Sequence, residues 1–129
     1  MRLLDTDVAL DILRGNPVAL DWLATLDEAP ALPGPVVLEL LTWQGLTTKK
    51  DQHALYDVLA EFEIYWPSHL GCDDILATVY QQSLKHTLLP ADALVAACAI
   101  EFEATLCTLD PKRYKVFKDL ATEKPYKAT

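Results

Sequence analysis

Four acids in this sequence stand where apolar segments start, break or stop. Asp5 closes the run Leu3-Leu4, Glu39 interrupts Val36-Val37-Leu38 and Leu40-Leu41, Asp92 opens the run from Ala93 to Ile100, and Asp110 follows Thr105-Leu106-Cys107-Thr108. An acid at the carboxyl end of a strand is well placed for chemistry, because open α/β sheets bind ligands beyond those ends. Four carboxylates gathered in one place repel one another, and a divalent cation is the usual remedy. The chemistry these residue types could share is therefore that of a metal site.

The elements that must carry these acids follow from periodicity and punctuation. A strand over Arg2 to Asp5 leads into a helix that Thr6 or Asp7 caps, capping being favoured for Asp7 over binding a metal through water, and Gly15-Asn16-Pro17 ends that helix. Pro17 starts a second helix carrying Leu20, Trp22, Leu23 and Leu26, and Ala31-Leu32 is a very short strand. Pro35 starts a third helix that carries Glu39 and stops at Gly45. Leu55, Val58, Leu59 and Phe62 mark a fourth helix from about 49 to 62, and Ile64-Tyr65-Trp66 a strand. Asp73 and Asp74 precede a helix bearing Leu76, Val79, Tyr80 and Leu84. The stretch from Pro90 to Phe102 is apolar on nearly all sides, as in a buried helix with Asp92 in its first turn. A strand at 105 to 108, then Asp110-Pro111 and a short helical or turn segment, lead into a tail that the pattern leaves unassigned. Short strands alternating with helices imply a parallel sheet covered on both faces.

Bulk properties restrict the setting. With 129 residues, 51% of them apolar, residues 1–129 form one domain. Cys72, Cys98 and Cys107 are an odd number without paired-ligand spacing, which suits a reducing compartment. No leader pattern opens the chain and no apolar run is long enough to span a membrane, so the expectation is a soluble cytoplasmic protein without a membrane partner. The net charge of −8 argues against nucleic acid at first sight. Its distribution does not: residues 1 to 110 carry 5 basic and 17 acidic side chains, and residues 111 to 129 carry 6 and 2. Lys112, Arg113, Lys115 and Lys118 follow Asp110 and could flank the acids, with Lys112, Arg113 and Lys115 as candidates to hold a nucleic acid there, although an ordinary solvated basic face reads the same way.

Taken together, Leu-Leu-Asp5-Thr6-Asp7, Val-Leu-Glu39-Leu-Leu, Leu-Pro-Ala-Asp92-Ala-Leu-Val-Ala-Ala and Leu-Cys-Thr108-Leu-Asp110 resemble the PIN domain family, and within it the VapC-type toxins. The resemblance covers nearly the whole chain, and the acid opening an Ala-rich helix just before a Thr-x-Asp strand end is its most specific part. It implies an α/β, three-layer fold with a small parallel sheet flanked by helices. It also implies a ribonuclease dependent on Mg²⁺, with Mn²⁺ as substitute, usually a homodimer and usually inhibited by a small antitoxin protein. Carried over position by position, the catalytic acids are Asp5, Glu39, Asp92 and Asp110, with Asp5, Asp92 and Asp110 as metal ligands. Glu39 is a further ligand or the group that orients or deprotonates the attacking water. Thr6 and Thr108 match the family's small hydroxyl residues beside the acids, and Asp7 departs from the Asn or Ser common at its position.

Such a site suits phosphodiester hydrolysis, which needs an activated water and positive charge on the phosphoryl oxygens. A few carboxylates suffice for Mg²⁺, which retains several waters. The remaining conspicuous residues have ordinary explanations. Asp73 and Asp74 complement a helix start, Glu101 and Glu103 a solvated helix end, and Asp11 pairs with Arg14 one turn on. His69-x-x-Cys72 is half a zinc motif without its other half. Trp22, Trp43 and Trp66 are core or interface residues. Two alternatives remain at this point: a catalytically silent PIN-like module that binds RNA or protein, and a haloacid-dehalogenase-like phosphatase, whose first motif also reads Asp-x-Asp.

Overall fold

The computed structural model describes residues 1–43, 45 and 47–128. The elements run β1 (Arg2–Leu4), α1 (Thr6–Leu13), α2 (Pro17–Ala24), β2 (Leu32–Pro33), α3 (Gly34–Leu41), α4 (Lys49–Leu59), β3 (Ile64–Tyr65), α5 (His69–Gln82), α6 (Pro90–Glu101), β4 (Thr105–Cys107), a 3₁₀ turn (Pro111–Tyr114) and β5 (Ala121–Glu123). Pro17, Pro35 and Pro90 all lie in the first turns of their helices, where a missing N–H costs nothing. Ser68, Asn16 and Thr48 cap α5, α2 and α4 with side-chain oxygens.

All strand pairings are parallel. β1 pairs with β4 in the register Leu3 to Leu106, β4 pairs with β5, and β2 pairs with β3. The two groups are joined at Leu3 and Ala31, where Leu4 N–H donates to the Ala31 carbonyl (3.0 Å) and Ala31 N–H to that of Arg2 (2.9 Å). The strands thus follow the order β3, β2, β1, β4, β5. Leu3 and Leu4 are both fully buried, as are Leu106 and Cys107. Because successive strand side chains point to opposite faces, the sheet is covered on both sides, the three-layer arrangement expected. The core unites these strand residues with Val8 of α1, Val36 and Leu40 of α3, and Val95, Ala96, Cys98 and Ala99 of α6.

Several local expectations are corrected. β1 stops at Leu4, and Asp5 itself caps α1, its Oδ1 accepting from Thr6 N–H (2.9 Å), so neither Thr6 nor Asp7 is the cap. α3 ends at Leu41 rather than reaching Gly45, and the Thr42 hydroxyl donates back to the Leu38 carbonyl at its end (2.7 Å). Asp73 and Asp74 lie inside α5, which begins earlier because Ser68 offers the better cap. Asp11 accepts from the Tyr126 hydroxyl (2.9 Å) instead of pairing with Arg14, whose guanidinium lies over the Trp43 ring. The unassigned tail contains β5, which covers the edge of β4. Gly34 meets a packing need: a Cβ there would run into the ring of Trp66.

Candidate metal centre

The parallel pairing of β1 with β4 fixes the site. It sets the ends of the two strands side by side, so that Asp5 N–H donates to the Cys107 carbonyl (2.9 Å) and the side chains of Asp5 and Thr108 meet. Asp5 is 2% exposed and Thr108 fully buried, and the Thr108 hydroxyl donates to Asp5 Oδ2 (2.8 Å). An ionised acid buried to this degree requires partners for every oxygen. Oδ1 has the Thr6 N–H, and Oδ2 has Thr108 and a third donor, Arg113 Nη2 (2.8 Å).

Arg113 links Asp5 to the second buried acid. Asp92, in the first turn of α6, receives Arg113 Nε on Oδ2 (3.0 Å) and the Tyr114 hydroxyl on Oδ1 (3.3 Å). Tyr114 is itself buried, and its ring packs beneath the guanidinium. Glu39 joins from α3 through Thr6, whose hydroxyl donates to Glu39 Oε2 (2.8 Å) while its N–H serves Asp5. Asp7 braces the floor: Oδ1 accepts from Val8 N–H (2.7 Å) and Oδ2 from Leu109 N–H (3.0 Å), tying α1 to the segment after β4. No buried side-chain nitrogen or oxygen among the described residues lacks a partner.

The charges are mutually felt. Burial raises the Asp92 carboxyl above its ordinary pKa; Asp5 and Glu39 push it further up, while Arg113 and the Tyr114 hydroxyl pull it down. Burial also raises Asp7, and Asp5 adds to the effect. For Arg113, burial works against the charge, but Tyr114, Asp5 and Asp92 outweigh it and leave the guanidinium still harder to deprotonate.

Of the sequence candidates, the fold brings Asp5, Asp92 and Glu39 into one network, with Thr6, Thr108 and Asp7 supporting it. Asp110 is placed differently. It is exposed, its N–H donates to Thr108 Oγ1 (3.2 Å), and its carboxylate makes no hydrogen bond or ion pair with the other three acids among the described residues. Lys112, Arg113 and Lys115 are all exposed, but the guanidinium of Arg113 reaches back to Asp5 and Asp92. Tyr114, absent from the sequence reading, closes the site from below. Its signal there was an aromatic residue one position past a basic one, too common a pair to single out.

The donor set fits a hard divalent cation. Asp5 and Asp92 offer carboxylate oxygens, the donors such a cation prefers, and their Oδ2 atoms already share one cation, the Arg113 guanidinium. As the side chains stand, no three His, Cys, Asp or Glu residues among those described are arranged around a single point. The half zinc motif is accounted for within α5, where His69 lies against Asp73 (3.2 Å).

The sequence model of the PIN domain matches residues 2–121. No curated protein matches the sequence. Among solved structures, the chain is similar to VapBC2 from Rickettsia felis bound to a promoter DNA fragment, at 22% identity and TM-score 0.79 over 95% of this chain and 96% of that one. It is similar to a toxin–antitoxin complex from Klebsiella pneumoniae at 20% identity and TM-score 0.74, covering 99% and 100%. It is also similar to FitAcB from Neisseria gonorrhoeae at 24% identity and TM-score 0.73, covering 97% and 98%. At these identities the likeness is one of fold.

Proposed function

Because the chain belongs to the PIN domain family, we propose that it is a metal-dependent endoribonuclease acting as the toxin of a toxin–antitoxin pair. The observation that carries this reading is that two buried acids from distant elements, Asp5 and Asp92, converge on one cation with Glu39 beside them. The family assignment replaces the phosphatase alternative.

Asp5 and Asp92 would hold Mg²⁺ or Mn²⁺, with Asp110 reaching it from the exposed rim. The ion would polarise the scissile phosphate and lower the pKa of a bound water. Thr108 and the Thr6 N–H fix both oxygens of Asp5, so the carboxylate meets substrate already oriented. Glu39, partly exposed and anchored through one oxygen to Thr6, retains Oε1 to accept a proton from an attacking water. Lys112 and Lys115, exposed on the 3₁₀ turn and beyond it, supply the positive face that RNA needs next to an acidic centre.

A partner protein is supported by an apolar groove lined by Leu10, Leu13, Leu40, Trp43, Leu55 and Val58, between α1, α3 and α4. The likeness to chains of known toxin–antitoxin complexes supports an antitoxin as that partner, and the groove is the surface suited to an apolar helix. Leu59 of α4 is buried in the core, while Trp22, Leu23 and Leu55 are half-buried. A homodimer is supported by Leu76 and Tyr80 of α5, one turn apart, and by Leu84 just past its end, all exposed. No helix among the described residues is long and apolar enough to cross a membrane. The unpaired Cys98 and Cys107, whose thiols burial pushes up to about 12, suit a cytoplasmic location.

The test is RNA cleavage by purified protein with Mg²⁺ and with EDTA, for the wild type and for Asp5→Asn of verified fold. Metal-dependent cleavage lost in the variant is the expected result. Cleavage unaffected by EDTA or by the substitution overturns the reading. The Arg113 ion pair gives the silent binding module one point in its favour, since it satisfies the acids without metal. RNA binding without cleavage would establish that alternative.

A further inference from the structure

We infer that Arg113 is a built-in competitor for the metal seat, a tethered cation that must leave Asp5 and Asp92 before a divalent ion can bind them. The inference rests on the metal-dependent reading above and adds a regulatory contact within the chain itself.

Three features support it. The first is which oxygens are engaged. Asp5 Oδ1 and Asp92 Oδ1 are bound by donors that belong to the scaffold, Thr6 N–H and the buried Tyr114 hydroxyl, and the Thr108 hydroxyl holds Asp5 Oδ2 from the same scaffold. The guanidinium takes Oδ2 of each, at 2.8 and 3.0 Å, and these are the oxygens the two acids direct at a shared point. A divalent ion held by Asp5 and Asp92 would compete with the guanidinium for the same two carboxylates.

The second feature is that Arg113 can leave. It stands on a short 3₁₀ turn, its side chain is 35% exposed, and beyond the two acids its guanidinium meets the ring of Tyr114 and donates to that residue's hydroxyl (3.3 Å). Thr108, by contrast, is fully buried and keeps its hold on Asp5 in either state. The third feature is the destination. Lys112 and Lys115 flank Arg113 on the exposed basic face, so a displaced guanidinium joins a surface that a polyanion would approach. Exchange of the internal cation for a divalent one thus coincides with a gain of positive charge where RNA arrives.

The expected magnitude follows from occupancy. If the guanidinium holds the seat in about nine molecules of ten, apparent metal affinity falls about tenfold relative to an empty seat. Two measurements on the full-length chain test this. Mn²⁺ affinity, read by electron paramagnetic resonance on wild type and Arg113→Gln, is expected to be about tenfold tighter in the variant. In the wild type, the Arg113 Nε–H resonance is expected to lose its exchange protection as Mg²⁺ is added. Equal or weaker Mn²⁺ affinity in a folded variant overturns the inference and leaves the metal-dependent reading intact. Absence of Mn²⁺ binding in both proteins overturns both. Should Arg113→Gln fail to fold, the wild-type resonance decides alone: an Nε–H that stays protected at saturating Mg²⁺ refutes the exchange.

Discussion

Thr108→Val tests the idea that the end of β4 orients the first acid. The two side chains have nearly the same shape, so the substitution exchanges one hydroxyl for one methyl at a fully buried position. The loss is the 2.8 Å hydrogen bond to Asp5 Oδ2, and bonds to charged groups contribute about 1.5–3 kcal/mol. Asp5 Oδ2 retains Arg113, which keeps the loss toward the lower end of that range. The part-buried Asp110 N–H also loses its acceptor. Against this, burying an added methyl returns at most about 0.8 kcal/mol. The net cost is about 1–2 kcal/mol. With unfolding entropy near 2.1 cal/mol/K per residue, a chain this long should melt about 4–7 °C lower. Thr108→Ser keeps the hydroxyl and deletes a buried methyl, so its stability falls by about 1 kcal/mol while Asp5 stays in place. Calorimetric melts in EDTA supply the first comparison. Cleavage rates supply the second: Val should lose on the order of tenfold or more through misplacement of Asp5, and Ser should lose little. A valine variant that melts with the wild type, or that cleaves as the serine variant does, would refute the assignment of Thr108 as the group that orients Asp5.

Two further outcomes are expected. The folded Asp92 carboxyl has a pKa above its ordinary 3.8, so the folded state binds its proton more tightly than the unfolded chain does. Its stabilising contribution is complete below that ordinary value and is lost as pH rises through the raised one. In metal-free buffer, Asp92→Asn should therefore flatten the decline in stability just above pH 3.8 and melt no lower than wild type at pH 7; a variant that is less stable at pH 7 yet equal at pH 3 would reverse the sign. On α5, Leu76→Glu with Tyr80→Glu should leave the monomer fold within about 0.5 kcal/mol of wild type, since both residues are exposed. Sedimentation should then show a dimer converted to a monomer, and a wild type that is monomeric at high concentration would remove the homodimer from the proposal.

What the sequence determined by itself is what local chemistry dictates. Prolines mark the starts of α2, α3 and α6 because only the first turn tolerates a missing N–H, and the all-round apolar character of α6 announces its burial. Asp5, Glu39 and Asp92 stand out because an acid within or beside an apolar segment demands a partner. Their order and spacing carry the family resemblance, which the match over residues 2–121 bears out. The division of labour among the four residues Lys112, Arg113, Tyr114 and Lys115 was not legible. Two adjacent cations have the same local preferences, and only the sheet order decides which meets an acid 108 residues away. The parallel pairing of β1 with β4 brings Asp5 to Thr108, and the 3₁₀ turn that follows buries Tyr114 and lets the Arg113 guanidinium reach the acids, while Asp110 faces out. β5 escaped notice for a related reason: its residues Ala121 and Thr122 are exposed and show no apolar alternation, so pairing with β4 alone makes them a strand. Periodicity records which side of an element is buried, while the partner that buries it is decided by contacts between elements far apart in the chain.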